Sequence, residues 1–333
     1  MIAVLAGGVG AARYLAGLVQ VVAPGDVTAV VNTGDDVWLH GLRVCPDLDT
    51  LTYTLAGAVD AERGWGLAGE TWRAIDALAR FTDVAPAGST AGCTWFRLGD
   101  TDLATHLYRT ARLSEGAGLT RVMAEVAAAW GVGPTLLPVT EGTVETRITL
   151  AGEETAGEGT AGEDVGVEIG FQEYFVARRH AVPVAAVRFA GVETARPGPG
   201  VLEALAGAER VVIAPSNPVV SIGPVLAVPG VSRALAARRP DVVAVSPIVA
   251  GAALRGPADR LLSELGHESS VVGVARLYAP VAATLVVDEA DAARAGEVEA
   301  AGMRCVVAPT VMHGPAEAAA LARTTLAVVP SPA

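Results

Sequence analysis

The chain has 333 residues, 51% of them hydrophobic, and a formal net charge of −12. That length allows one large or two fused units whose core needs no disulfide or metal staple, and three widely spaced cysteines, Cys45, Cys93 and Cys305, argue against a secreted disulfide framework. With no Lys and only Arg as fixed cation, the acidic balance disfavours nucleic acid, and the apolar runs break too soon for a membrane span.

Met1 leads directly into a strand, Ile2 to Leu5, with no basic flank, so a cytoplasmic protein is expected. A Gly-rich turn covers Ala6 to Gly10, and a helix runs from Ala11 to about Val22. A second strand, Val27 to Val31, enters Asn32-Thr-Gly-Asp-Asp36. Over residues 65–131, apolar residues recur every three or four positions, which predicts helices at 70–81, 100–113 and 119–130. Strand-like pieces at 143–150 and 165–176 flank residues 151–166, an acidic tract of Ala-Gly-Glu steps. Such a tract buries no apolar surface and reads as a solvated, mobile hairpin tip.

Further strands are expected at 210–214, 242–245, 270–275, 283–287 and 304–307. They are continuous apolar runs, as parallel strands covered on both faces should be. The fold class is α/β: a Rossmann-like, doubly wound, mostly parallel sheet with a helical insertion and a β-hairpin extension. The core would comprise residues 1–64 and 181–333, and the insertion with its hairpin residues 65–180.

In such a sheet ligands bind beyond the carboxyl ends of the strands. Four polar segments fall there: Gly7 to Gly10, Asn32 to Asp36, Pro215-Ser-Asn-Pro218 and Ser246 to Gly251. The first lets backbone approach a phosphate beside a helix N-terminus, although a plain tight turn competes and Arg13 stands where a dinucleotide fingerprint wants glycine. Pro46-Asp47-Leu-Asp49-Thr50 is more informative: in extended backbone Asp47 and Asp49 point to one side and can share a Mg²⁺. The competing reading is a helix cap at Asp49 or Thr50, with the helix beginning at Leu51. Asp35 and Asp36 are either turn residues or further ligands.

Ser216 and Asn217 offer hydroxyl and amide groups on a proline-stiffened turn. Asp100, Asp102 and His106 fit a helix cap with an i,i+4 pair better than a metal site, and His40, His180, His267 and His313 read as surface or packing residues.

Together these segments resemble the 2-phospho-L-lactate transferases of coenzyme F(420) biosynthesis, called phosphoenolpyruvate transferases in bacteria. The likeness runs through Ala6-Gly-Gly-Val-Gly-Ala-Ala-Arg13, Val31-Asn-Thr-Gly-Asp-Asp36, Pro46-Asp-Leu-Asp-Thr50 and Gly64-Trp-Gly-Leu-Ala-Gly-Glu-Thr-Trp72. It continues in Leu98-Gly-Asp-Thr-Asp-Leu-Ala-Thr-His106, Phe171-Gln-Glu-Tyr-Phe175, Gly223-Pro-Val-Leu-Ala227, Ser246-Pro-Ile248 and Gly256-Pro-Ala258. The resemblance implies a Mg²⁺-dependent, usually dimeric Rossmann-like enzyme. Its deazaflavin acceptor, Fo, attacks a guanosine diphosphate ester of phosphoenolpyruvate or phospholactate, and GMP leaves. Mg²⁺ on Asp47 and Asp49 would bridge the diphosphate, and one of these two carboxylates would receive the attacking hydroxyl's proton. Carried onto this chain, the resemblance also implies that Asp49 and Arg97 contact the deazaflavin. By loop position, phosphates would be held by Gly8, Gly10, Ser216 and Asn217, and the nucleotide by Asn32, Thr33, Ser246 and Arg255.

Two rivals stand beside this reading. An NAD(P)-dependent oxidoreductase would want an acid ending the second strand, where Asn32 sits. A related non-catalytic nucleotide-sugar-binding regulator would carry a Gly-rich run after its paired Asp, whereas Asp35-Asp36 is followed by Val-Trp-Leu-His40.

Overall fold

A computed structural model describes residues 1–86, 89–152 and 165–329. Seven parallel strands form the main sheet: β1 (Ile2–Ala6), β2 (Val27–Val31), β3 (Thr135–Pro138), β4 (Arg210–Ile213), β5 (Val242–Val245), β6 (Thr284–Val287) and β7 (Arg304–Val307). Their spatial order is β7-β6-β5-β4-β1-β2-β3, with Ile2 opposite Val27 on one side and Arg210 on the other. The chain therefore winds outward from β1 in both directions, which is the Rossmann-like order, and the reversal falls between β1 and β4.

Alternation along each strand divides the core between the two faces of the sheet. Ala3 and Leu5 join Val211, Ile213, Ala244 and Leu285 on one face. Ile2, Val4 and Ala6 join Val212, Val243 and Val286 on the other, beneath the helix α1 (Gly8–Leu18) and the Pro315–Ala327 helix. Those helices touch backbone to backbone: a Cβ on Gly17 would lie 2.3 Å from the Ala318 carbonyl carbon.

The predicted helices of the insertion appear at Arg73–Leu78, Asp102–Ser114 and Leu119–Ala129. Strand β3, not read from the sequence, lies within residues 65–180 yet pairs with β2 at the edge of the main sheet. The hairpin is part of a three-stranded antiparallel sheet in which Glu145–Leu150 lies between Glu168–Gly170 and Val184–Ala190. Thr146 N–H donates to the Gly34 carbonyl at 2.7 Å, tying this small sheet to the loop after β2. The expected hairpin tip lies almost wholly outside the described residues.

Four local expectations are corrected. α1 starts at Gly8 and ends at Leu18, so Gly8 to Gly10 belong to the helix and not to a preceding loop. Residues 270–275 are not a strand: Ser270 caps a helix, Val271–Tyr278, its Oγ accepting from Val272 and Gly273 N–H. Both faces of that helix are buried, which erases the periodicity that distinguishes a helix from a buried strand. After Gly170 the chain leaves the strand and makes a wide π turn over Glu173–Ala177. Last, the helix α2 begins at Pro46 and runs to Leu55, so Asp47 and Asp49 sit in its first turn and not in extended backbone.

Candidate active site

A cavity of about 760 Å³ opens over the carboxyl ends of the strands, where the topology reverses. Gly8 to Gly10, Pro215 to Asn217, Ser246-Pro247 and Thr310 to His313 line it from the sheet. Phe171 and Phe175, stacked at 5.5 Å, line it from the small sheet, and Phe96, Arg97, Asp102 and His106 from the insertion. The glycines of the first turn are dictated by contact. A Cβ on Gly7 would lie 2.8 Å from Asp47 Oδ2, and one on Gly10 would lie 2.0 Å from the Pro215 carbonyl oxygen. No side chain fits where these two turns meet, so backbone N–H groups and the α1 N-terminus face the cavity directly.

Asp47 is wired to the sheet. It accepts from Gly8 N–H at 2.8 Å and from Asn32 Nδ2 at 2.9 Å, and Asn32 Oδ1 in turn accepts from Gly34 N–H at 2.7 Å. Burial pushes the Asp47 carboxyl up to about 6 against the pull of these bonds. Asp35 is raised well above the ordinary carboxylate range by burial first, then by Asp47 and Asp36 beside it. Burial also lifts Asp36 to about 6, although Arg43 donates to it at 2.9 Å and the Cys45 thiol at 3.1 Å.

The cluster thus holds four buried carboxylates, Asp35, Asp36, Asp47 and Asp49, against two buried guanidiniums, Arg43 and Arg109. Fully ionised it carries two excess negative charges, which a buried site does not tolerate without protons or a cation. Asp35 and Asp47 both line the cavity, and Asp35 Oδ1 is buried without a hydrogen-bond partner. This pair fits a hard divalent cation. Among the described residues no cluster of three or more His, Cys, Asp or Glu could hold a metal, so phosphate oxygens and water would complete the shell, as Mg²⁺ prefers.

Asp49 belongs to a different network. In a helix, residues two apart project about 200° from each other, so the expectation that Asp47 and Asp49 face one side does not hold. Arg109, fully buried, grips both Asp49 oxygens: Nη1 donates to Oδ2 at 3.1 Å and Nη2 to Oδ1. Arg109 Nη1 also lies 3.2 Å from His106 Nδ1, and His106 Nε2 lies 3.1 Å from Asp102 Oδ2. Tyr53 O–H donates to Asp102 Oδ1 at 2.5 Å. Asp102, His106 and Arg109 recur at i, i+4 and i+7 on the Asp102–Ser114 helix, one face turned to α2.

The other expected residues divide between cavity and scaffold. Arg97 lines the cavity, paired with Asp76 at 2.8 Å and lying 5.4 Å from the centre of the Trp72 ring. Arg255 lines it too, donating to the Arg63 carbonyl at 3.0 Å. Arg13 stands nearby; partial burial, then the Arg255 charge, lowers its pKa. Ser216 Oγ is buried in the cavity wall without a partner. Asn217 Oδ1 accepts from Val219 and Val220 N–H, and Ser246 Oγ serves its own loop through Ile248. Asn32 and Thr33 do not line the cavity; Asn32 acts on it through Asp47.

Sequence reasoning missed Arg109 and Tyr53, read the His106–Asp102 i,i+4 pair that the structure shows but gave it no place in the site, and set His313 aside, although it too lines the cavity. The signal for the first was available: polar residues at 102, 106 and 109 on one face of a helix whose neighbours are apolar.

The family model described as 2-phospho-L-lactate transferase CofD matches residues 2–309. Curated relatives include the phosphoenolpyruvate transferases of Streptomyces griseus, 45% identical over 98% of this chain and 97% of its own length, and of Kitasatospora aureofaciens, 44% identical over the same shares. That of Mycolicibacterium smegmatis is 40% identical, again over 98% and 97%. Among solved structures, protein BH3568 from Bacillus halodurans superposes with a TM-score of 0.59 at 15% identity, covering 98% of each chain, a likeness of fold alone. The chain belongs to the 2-phospho-L-lactate transferase CofD family.

Proposed function

We propose that the chain transfers a phosphoenolpyruvyl (or 2-phospholactyl) group from its guanosine diphosphate ester to the terminal ribityl hydroxyl of the deazaflavin Fo. The hydroxyl oxygen bonds to the β-phosphorus as the bond from that phosphorus to the bridging oxygen breaks, and the bridging oxygen departs with GMP. The product is a phosphodiester of Fo. Phosphoenolpyruvate is the favoured acid, since relatives at 40–45% identity carry that substrate in their names. What carries the reading is the excess buried carboxylate charge of Asp35 and Asp47, with Asp47 bonded to the α1 N-terminus, in one cavity with the unpartnered Ser216 hydroxyl.

Phosphoryl transfer depends on in-line positioning and charge neutralisation more than on covalent help. Asp35 and Asp47 would hold Mg²⁺, which neutralises charge on the diphosphate oxygens. Backbone at Gly8 and Gly10, the Ser216 hydroxyl, Arg13 and Arg255 bind the phosphates and the acid's carboxylate. Asn217 shapes its turn, and the Ser246 loop receives the guanosine. Asp49, Arg97 and the Phe171–Phe175 wall take the deazaflavin. The hydroxyl's proton is accepted at a carboxylate of the Asp35–Asp47 pair.

The test is product mass spectrometry of the protein incubated with Fo, each guanosine diphosphate ester and Mg²⁺, with a metal-free control. GMP together with a phosphodiester of Fo is the expected result, abolished by chelation. Nucleotide binding without turnover of either ester would overturn it in favour of a non-catalytic nucleotide binder.

A further inference from the structure

Asp49 is the one carboxylate of the buried cluster whose two oxygens are both held by a single guanidinium. A carboxylate gripped at both oxygens by one guanidinium has little freedom to turn toward a cation. Asp47, two residues earlier, has the opposite surroundings: neutral donors from Gly8 and Asn32, and the Asp35 carboxylate beside it. Yet Asp49 is 5% exposed and lines the cavity, and each of its oxygens keeps a second lone pair for a ligand donor.

We infer that Arg109 is a positioning residue for the acceptor: it fixes Asp49 as an immobile hydrogen-bond acceptor, with His106 and Asp102 beside Arg109 and the helix behind it. This rests on the acceptor reading given above. The geometry supports it at each link. Arg109 Nη1 donates to Asp49 Oδ2 at 3.1 Å and lies 3.2 Å from His106 Nδ1, and the far nitrogen of that ring, Nε2, lies 3.1 Å from Asp102 Oδ2. Nη1 also donates to the Arg43 carbonyl at 3.2 Å, which sets the plane of the guanidinium. Lys in place of Arg109 would keep the charge but lose the two-pronged grip. The two carboxylates of α2 thereby divide the work, Asp47 toward the cation and diphosphate, and Asp49 toward the acceptor's donor groups.

The experiment is equilibrium binding without turnover: the deazaflavin titrated by fluorescence, and GDP by calorimetry, each in the presence of a chelator. The variants are Arg109→Lys, which keeps a buried cation opposite Asp49, and the neutral pair Asp49→Asn with Arg109→Gln, which leaves no charge unpaired. The double variant should bind the deazaflavin at least about tenfold more weakly and the Lys variant about fivefold, with GDP affinity within about twofold of the parent in both; tenfold corresponds to about 1.4 kcal/mol. Unchanged deazaflavin affinity in both variants would overturn the inference, as would equal losses for both ligands, the mark of a merely structural role. A parent protein that binds GDP but no deazaflavin would overturn the acceptor reading itself, and this inference with it.

Discussion

Asp47 and Asp49 share the first turn of one helix but answer to two different parts of the molecule. Asp47 is held by the turn after β1 and by Asn32 at the end of β2, so its position is set by the parallel sheet. Asp49 is held by Arg109, and through it by the inserted helix. The sheet side is built of backbone and neutral donors and leaves its carboxylates short of positive charge; the insertion side neutralises its carboxylate within the protein. A site that must hold a cation on one side and an organic acceptor on the other needs both kinds of surrounding, and α2 is the element that joins them.

The comparison is broken most severely at Asp47. Asp47→Asn should cost roughly 10³-fold in turnover, the scale of removing a principal electrostatic group from a transition state. Its stability should stay within about 1 kcal/mol of the parent or rise, because a buried carboxylate lacking a countercharge is replaced by a neutral amide. Asp49→Asn should behave in the reverse sense. It strands the buried Arg109 guanidinium, so chemical unfolding should show a loss of roughly 3–5 kcal/mol. If urea denaturation found Asp47→Asn the less stable of the two, the division between the sheet side and the insertion side would be wrong.

What could be read beforehand follows the same division. The parallel strands were visible because both faces are covered, leaving unbroken runs such as Val242–Val245, and the four loops at their ends were placed by topology. Residues 270–275 show the limit: Ser-Val-Val-Gly-Val-Ala is as apolar as a strand, and only Ser270 as a cap distinguishes it. Strand β3, Thr135–Pro138, follows Pro134 and ends in proline, a residue that argues against a sheet strand, so it did not stand out although the strands that were read are equally short. Asp47 and Asp49 were legible as residue types but not as a geometry, because about half a turn of helix separates what an extended segment would align. The helix face of residues 102, 106 and 109 was legible, but that Arg109 grips Asp49 shows only when the insertion's helix is laid against α2, a contact between residues 60 positions apart.

A smaller effect is expected at the junction of the two turns. Gly10→Ala forces a methyl group against the Pro215 carbonyl, and overpacking of this kind costs about 1–3 kcal/mol. Thermal unfolding should register it, and donor binding should weaken with it because both turns border the cavity. Normal stability in this variant would mean that the β1 and β4 turns can separate, and that the switch point is less rigid than the contact implies.

The smallest effect is the most selective. Ser216 Oγ is buried in the cavity wall without a protein partner, so Ser216→Ala removes no hydrogen bond from the folded chain and should leave the unfolding midpoint where it was. If that hydroxyl is kept for a donor phosphate, its loss should raise the donor KM about tenfold, the worth of one hydrogen bond to a charged group, while acceptor KM stays constant. A rise in acceptor KM instead would place Ser216 on the deazaflavin side and redraw the boundary that Asp47 and Asp49 define.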